Sequence, residues 1–423
     1  MSSVLPYVHR KLWPALRPLR LLEPILNAPS KRRLRKALNC ADLRDAARAR
    51  AHHMVFEYID GGSDDQITRK RSTEAYADLE LTQRVLCGNE HADLDLSCNV
   101  LGHSVDLPFF PAPTAGQRMF HCDGETAVAG AAAAHGSAFA LSSFSTSTFD
   151  EVNARYPGPK IFQLYVWRDK EFLKKLLGQA KEAGFTSLAL TADMAWFGNR
   201  EREVRSGFSI PPTYNAQQVF DAACAPAWTM DFLTNKPYTY ALMDSSVPAD
   251  SLAAFMNSQI NPAFDWEDAR WLCNEWDGPV ALKGVMSPED AKKAVEVGFS
   301  SVWISTHGGR QLETAPATID VLPTIRDAVG PDVEIVFDGG IMRGSHIAKA
   351  LALGADNVAV GKACLFGLAA GGEVGVSRTI AIMKRELEIT MGLMGCKSVD
   401  ELKARGHKLV NPRRGVNWDH VQQ

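Results

Sequence analysis

A (β/α)8 barrel, the TIM-barrel form of α/β fold, is the architecture this chain predicts, and three observations carry the prediction. Short apolar runs rich in β-branched and aromatic residues recur eight times; each run is followed by glycine or polar residues and then by a helical stretch; and no G-x-G-x-x-G turn follows the first run, which weighs against an open doubly wound sheet. Strands that alternate with helices imply right-handed parallel crossovers, and eight such units close naturally into a ring with the helices outside. At 423 residues the chain is too long for one small domain and suits one such barrel with extensions.

In chain order, residues 1–40 read as a basic N-terminal extension. Arg10, Lys11, Arg17, Arg20, Lys31, Arg32, Arg33, Arg35 and Lys36 are opposed there by Glu23 alone, with Trp13 and several leucines between them. Such a stretch can be a membrane-surface anchor, a targeting presequence or a solvated arm. Pro14, Pro18 and Pro24 interrupt its apolar residues and argue against a secretory signal. Residues 42–58 carry a helical apolar pattern that the Gly61-Gly62 pair would stop, and 68–84 continue as helix and connection. The eight strands are expected at 107–113, 138–143, 160–165, 187–193, 279–284, 301–306, 334–339 and 357–362. The uncharged stretch 126–149, mostly Ala, Gly, Ser and Thr, reads as a helix followed by a strand rather than as a membrane span.

Residues 211–265 break this rhythm, forming a long insertion after the fourth barrel strand. The segment holds Tyr214, Phe220, Trp228, Phe232, Tyr238, Tyr240 and Phe255. A connection of this length inside a barrel is normally functional, a lid or a patch that meets a partner or a bilayer. Its few charges are mainly acidic, so it offers no attraction to anionic lipid. A helix over 376–394 closes the barrel, which is assigned to 41–400. The C-terminal tail is assigned to 401–423, and its part from Lys408, with Arg413, Arg414 and His420, reads as a solvated end or a subunit contact.

Composition narrows the function. A formal net charge of -3 gives no global case for nucleic acid, so any basic function must be local. The eight cysteines are scattered without a C-x-x-C pair, which points to reduced thiols in a cytoplasmic compartment and to no metal site.

Residues just after the strands of a barrel share one face, its mouth, where barrel enzymes hold substrates. There the sequence places Pro113-Thr114-Ala115-Gly116, Ser142 and Ser143, Gln163 and Tyr165, Thr191 and Asp193 followed by Arg200, and Lys283. Neutral hydrogen-bonding groups suit the edge of a polar heterocycle, and a lysine suits the point where that ring gains negative charge. The sixth run stops at Ser305-Thr306-His307-Gly308-Gly309-Arg310-Gln311-Leu312. The two glycines allow a tight turn, so an imidazole and a guanidinium three residues apart can converge on one small anion. A proton acceptor beside a carboxylate clamp is what oxidation of a 2-hydroxy acid requires. Asp338-Gly339-Gly340-Ile341-Met342-Arg343 and Gly361-Lys362 follow the last two strands, the usual phosphate site of this fold. A phosphate there and a ring above the barrel centre describe a flavin mononucleotide, FMN.

With these motifs the chain resembles the FMN-dependent 2-hydroxy acid dehydrogenases and oxidases over about residues 43–395. Gln163-Leu164-Tyr165, Leu190-Thr191-Ala192-Asp193, Leu282-Lys283-Gly284 and Ala350-Leu351-Ala352-Leu353-Gly354-Ala355 match alongside the histidine motif. The resemblance implies that His307 is the catalytic base and that Asp193 stabilises its protonated form. It implies that Arg200 and Arg310 hold the substrate carboxylate, with Tyr58 and Tyr165 on the carboxylate and hydroxyl, and that Lys283 stabilises the reduced flavin. The Pro113, Thr114 and Ala115 backbone, Ser142, Gln163 and Thr191 would contact the ring, and Asp338, Gly339, Gly340, Arg343, Gly361 and Lys362 the rest of the cofactor. Phe144 is expected in the side-chain pocket. Thr306, Lys362 and Met194-Ala195 depart from the family's usual asparagine, arginine and threonine-proline; a lysine keeps the charge but loses bidentate geometry. The middle segment with Ala227-Trp228-Thr229-Met230-Asp231-Phe232 looks more like that of the mandelate and lactate dehydrogenases, where it attaches to the membrane, than that of the compact oxidases.

The expected reaction is oxidation of an L-2-hydroxy acid to the 2-oxo acid, with electrons passed to a quinone or other carrier. Oxygen as acceptor, an isomerase that uses the flavin without net oxidation, and a non-catalytic flavin-binding barrel are the alternatives. A homo-oligomer, a tetramer, is expected, cytoplasmic and peripheral on the inner membrane.

Overall fold

In the computed structural model, which describes residues 13–88, 90, 93–208, 215–237, 239–243 and 259–413, each of the eight apolar runs is a strand of one parallel sheet. Three short strands precede the sheet: β1 (Leu79–Leu81), β2 (Cys98–Val100) and β3 (His103–Val105). The sheet itself consists of β4 (Phe109–Pro111), β5 (Phe139–Ser142), β6 (Lys160–Tyr165), β7 (Phe185–Thr191), β8 (Val280–Val285), β9 (Ser301–Ile304), β10 (Glu334–Phe337) and β11 (Asn357–Val360). Their order is β4-β11-β10-β9-β8-β7-β6-β5, so β4 and β5 are the two ends of a sheet that curls round on itself. Two hydrogen bonds join those ends outside the ladder. Ser137 Oγ donates to Phe109 O at 2.8 Å and Gly116 N to Phe144 O at 3.0 Å.

What fills the ring explains its sequence. Alanines at 138, 140, 189, 281 and 359 leave room for the indole of Trp303, which is fully buried and meets Phe110 edge-on at 5.6 Å. The β2–β3 hairpin plugs the bottom with Val100, Leu101 and Val105. Leu101 turns through a positive φ of 47°, and its two backbone groups are satisfied by Glu334 Oε1 at 2.8 Å and Ser187 Oγ at 3.0 Å. This plug has no counterpart in the sequence reading, because two three-residue strands carry no measurable periodicity.

Other elements differ from expectation for identifiable reasons. The helical pattern over 42–58 is two helices, Cys40–Arg50 and His53–Asp60, because Ala51 is extended and the His52 ring caps the second helix by accepting from Met54 N at 3.2 Å. The stretch 68–84 is the helix Ile67–Glu74, a 3-10 turn and β1. The closing helix starts at Lys362, not 376, and breaks at Gly371 and Gly372, whose dihedrals are not helical. It is long and apolar enough to cross a membrane, but two thirds of its apolar window is buried inside the protein, as a core helix requires. From Val399 to Pro412 the chain is built into the fold: Val399–Leu409 is helical and Val410–Pro412 (β12) pairs antiparallel with β1. Arg414, His420, Tyr214, Tyr238, Phe255, Arg10 and Lys11 lie outside the described residues.

Replacing Trp303 by Ala empties the barrel centre and removes a donor from the buried Asp338 carboxylate, so a loss of about 3–5 kcal/mol is expected, read as a lower thermal midpoint.

Candidate active site

Strand register sets the floor of the site. Ser142 pairs with Gln163, Tyr165 with Thr191, Thr191 with Lys283, and Lys283 with Trp303, so the residues expected to face a ring are adjacent on consecutive strands. Gln163 Nε2 donates to Thr191 Oγ1 at 2.8 Å, which leaves Gln163 Oε1 buried and without a hydrogen-bond partner among the described residues. Ser143 Oγ and Thr306 Oγ1 share that condition. Pro113, Thr114 and Ala115 follow β4 part-exposed at the rim, with Thr114 Oγ1 accepting from Gln117 Nε2 at 2.8 Å.

The proton-handling group stands on a single network. His307 takes a positive φ of 55°, a conformation that costs a side-chain-bearing residue about 1–2 kcal/mol and that here turns the ring off the end of β9. Ser305 Oγ holds that turn. It accepts from His307 N at 3.0 Å and from Lys283 Nζ at 2.8 Å while donating to Asp338 Oδ1 at 2.7 Å. Asp338 Oδ2 in turn accepts from Trp303 Nε1 at 2.9 Å and lies 3.3 Å from Lys283 Nζ. His307 Nδ1 is 3.2 Å from Asp193 Oδ1. An ionised carboxylate can only accept, so Nδ1 carries the proton and the lone pair of a neutral ring lies on Nε2. Burial pushes the imidazole below its ordinary range, and the Asp193 charge offsets this only in part. Burial works against ionisation of Asp193 as well, yet the neighbouring His307 and then Lys283 hold its carboxyl below the usual carboxylate range. A neutral base beside a charged carboxylate results.

Two guanidinium groups converge beside the histidine. Arg310 Nη1 donates to Tyr58 O at 2.6 Å, its guanidinium carbon lies 4.4 Å from the Tyr58 ring centroid, and Nη2 is 2.7 Å from Glu203 Oε1. That last contact is close but not aligned as a hydrogen bond, so Nη2 still has a donor to offer. Arg200 Nε donates to Arg310 O at 3.3 Å and Nη2 to Gln311 Oε1 at 2.9 Å. Burial and then the like charge of Arg310 draw Arg200 below its usual range, the electrostatic signature of a site short of an anion. Tyr58 stacks on Phe208 at 4.7 Å, and the buried Tyr165 stacks on Phe144 at 4.5 Å. Phe144 is itself packed by Trp167 and Tyr240, so it backs Tyr165 rather than presenting an open wall.

The last two loops separate what the sequence had joined. Tyr76 Oη donates to Gly339 O at 2.8 Å and stacks on His346 at 4.1 Å, whose Nδ1 is 3.2 Å from Gly340 O, so the glycine turn is braced from behind. Gly340 has a positive φ of 68°, and an added Cβ would lie 1.8 Å from Ser72 O. Lys362, next to Gly361, reaches inward and donates to Gly61 O; burial first, then Arg310 and Arg69, hold its amine well below the ordinary lysine range. Arg343 instead pairs with Glu386 at 2.7 Å, and the same carboxylate accepts from Gly344 N at 2.8 Å. Of the two cations expected at one phosphate, Lys362 stands with Arg310 and Arg69, and Arg343 pairs with Glu386.

Sequence reasoning passed over Ser305 as a hub, Glu203 beside Arg310, and Gln311, whose Nε2 donates to Asp193 O at 2.6 Å and Trp196 O at 2.7 Å. Ser305 and Gln311 lay inside the quoted histidine motif; Glu203 had no local signal. The inserted helix Pro226–Thr234 is tied to the barrel by Asp231, which accepts from Arg50 Nη2 at 3.2 Å and Cys122 N at 3.1 Å, and by Trp228 Nε1 donating to Met119 O at 2.9 Å. His121, Cys122 and Asp231 lie close enough to hold an ion, but both Asp231 oxygens already accept hydrogen bonds, so this cluster reads as a clamp.

Residues 47–408 match the family model for FMN-dependent dehydrogenases. The chain belongs to the FMN-dependent 2-hydroxy acid oxidoreductases. It is 37% identical over 366 residues to an L-lactate dehydrogenase of Vibrio cholerae, covering 85% of this chain and 96% of that one. It is 36% identical over 377 residues to glycolate oxidase 3 of Oryza sativa, covering 89% and 97%. Among solved structures, a monotopic membrane protein, (S)-mandelate dehydrogenase, superposes with a TM-score of 0.84 at 32% identity, covering 89% of this chain and all of that one. As a member of this FMN-dependent family, the protein is an oxidoreductase acting on a hydroxy acid.

Because Asp193 raises the affinity of His307 for its proton, an Asp193→Asn variant of this oxidoreductase is expected to move the acid limb of substrate oxidation to lower pH and slow the reaction by about 10²-fold or more, read from pH–rate profiles.

Proposed function

We propose that this enzyme oxidises an L-2-hydroxy acid, lactate-like or mandelate-like, to the 2-oxo acid and passes the electrons to a quinone or similar carrier. The observation that carries the proposal is the meeting of His307, already paired with Asp193, with the two guanidinium groups of Arg310 and Arg200 at one mouth of the barrel.

The residues fit FMN. The orphaned Gln163 Oε1 and Ser143 Oγ, with Ser142 and Thr191 beside them, suit the polar edge of the isoalloxazine, and the Pro113–Ala115 rim its face. Lys283 stands where a ring accumulating negative charge would be stabilised, and Lys362 would supply the cation for the phosphate; burial first, and then the like charges of Arg310 and Arg69, lower its affinity for a proton, and a bound phosphate would offset both. When bound, FMN supplies the two-electron acceptor. The chain's own residues do the rest. Arg310 Nη2 and Arg200 orient the substrate carboxylate, Tyr58 and Tyr165 border its carboxylate and hydroxyl, and His307 Nε2 takes the hydroxyl proton while the α-carbon gives up its hydrogen. Asp193 then carries the balancing charge for the imidazolium, and the buried floor excludes water.

The membrane-dissolved acceptor, the tetramer and a place on the inner face of a membrane belong to the same proposal. The acceptor and the membrane location are supported by the inserted aromatic helices and by likeness to proteins named as membrane-associated (S)-mandelate dehydrogenase.

His307→Gln should yield yellow, flavin-loaded protein whose colour persists when a 2-hydroxy acid is added anaerobically; rapid bleaching in that variant would sink the assignment. Arg310→Lys loses the planar fork and should raise the KM for substrate about 10- to 100-fold, measured by steady-state kinetics. Comparing reoxidation by oxygen with that by a soluble quinone in stopped flow decides the acceptor, with the quinone expected to be the faster.

A further inference from the structure

Residues 13–38 are fixed on their inner side and unusual on their outer one. The helix Ala28–Lys36 buries Ser30 and Leu34 against the barrel's outer helices. Leu34 occupies the break in the closing helix, where an added Cβ at Gly371 would lie 2.3 Å from its Cδ1. Arg50 Nε donates to Asn27 Oδ1 at 3.1 Å, and Arg378 Nη2 to Ala37 O at 2.6 Å. The segment is therefore a docked part of the fold, and its exposed side chains sit on a supported surface.

On that surface Leu21 is 84% exposed and Ile25 71%, with Leu19 and Leu22 nearly half exposed beside them. Exposed aliphatic side chains grouped within seven residues on a braced backbone have no role in the folding of the single chain, which is the usual mark of a contact surface. The charges around them are almost all of one sign. Nine of the chain's 46 cationic residues, but one of its 49 acidic ones, fall within the first 38 positions, and that one, Glu23, faces Arg20 at 3.6 Å. All the cations of the helix Ala28–Lys36 are exposed. Aliphatic side chains flanked by a dense set of Lys and Arg are complementary to a surface that is apolar beneath a negatively charged layer. A lipid bilayer with anionic headgroups has that order; a protein patch of opposite charge has no reason to take four aliphatic side chains in addition. The insertion, whose charges are few and mainly acidic, cannot supply this attraction.

We propose that the N-terminal segment, residues 13–38, seats the enzyme on an anionic phospholipid surface, with Leu19, Leu21, Leu22 and Ile25 entering the boundary between headgroups and acyl chains. This rests on the reading above that the electrons leave for a carrier dissolved in the membrane, and it names the element that brings the site to it.

The test is flotation of the full-length, flavin-loaded enzyme with vesicles of phosphatidylcholine alone or with about a quarter phosphatidylglycerol. Binding to the anionic vesicles should exceed binding to the neutral ones by about tenfold and fall in about 0.5 M NaCl. A Leu21→Asp, Ile25→Asp double variant and an Arg32→Glu, Arg33→Glu, Arg35→Glu triple variant should each lose about tenfold in vesicle binding. Both should keep wild-type flavin bleaching by 2-hydroxy acid without vesicles. Binding that is absent, that ignores lipid charge, or that survives both variants overturns the proposal and in the last case assigns the contact to the insertion. Loss of oligomers in the leucine–isoleucine variant, seen by size-exclusion chromatography, overturns it in favour of a second copy of the chain. Bleaching that fails while charge-dependent vesicle binding persists would overturn the reading of the reaction and leave the docking surface standing.

Discussion

Asp338 is the group on which the arrangement turns. Its carboxylate is buried at the top of the barrel core, where an unpaired charge would be untenable, and each of its partners does a second job. Trp303 fills the ring of strands, Lys283 reaches it from the neighbouring strand, and Ser305 sets the backbone of the residue two positions later. Core packing and the aim of the His307 imidazole, the proposed base, are thus consequences of satisfying one charge. A network of this kind is stable only when complete, because removing one member strands the others in a low-dielectric interior.

The same economy governs the substrate side. Arg310 and Arg200 repel one another, and the protein relieves this with Glu203 on one and Gln311 on the other, but incompletely. In the proposed reaction a carboxylate held between them would relieve the remainder, so the cost of holding two like charges together would be returned as affinity for the anion. Gln311 also fastens the Asp193 and Trp196 backbones, so the loops after β7 and β9 are tied to one another.

Much of this could be read along the chain, and the limits have a physical pattern. All eight barrel strands were legible because short apolar runs repeat with helices between them, and the residues after those strands converge because parallel topology leaves them nowhere else to go. The β2–β3 plug was invisible because six residues are too few to show a period. The pairing of Arg343 with Glu386, 43 positions apart, and of Lys362 with Gly61, 301 apart, was invisible for another reason. Charge and spacing show that a cation is available, and only the packed structure shows which anion or carbonyl claims it. The helix break at Gly371 likewise answers to a residue far away along the chain, Leu34, whose side chain occupies the space a Cβ there would need.

The pairing of β1 with β12 ties the region before the barrel to the stretch just after its last helix. Leu79 meets Pro412, so β1 finds its ladder partner only across the whole length of the barrel. Joining two segments so distant along the chain carries a loop-closure cost that the local strand–helix units do not, so this clasp is a long-range event set by chain topology and forms after the contacts that bring its two halves near.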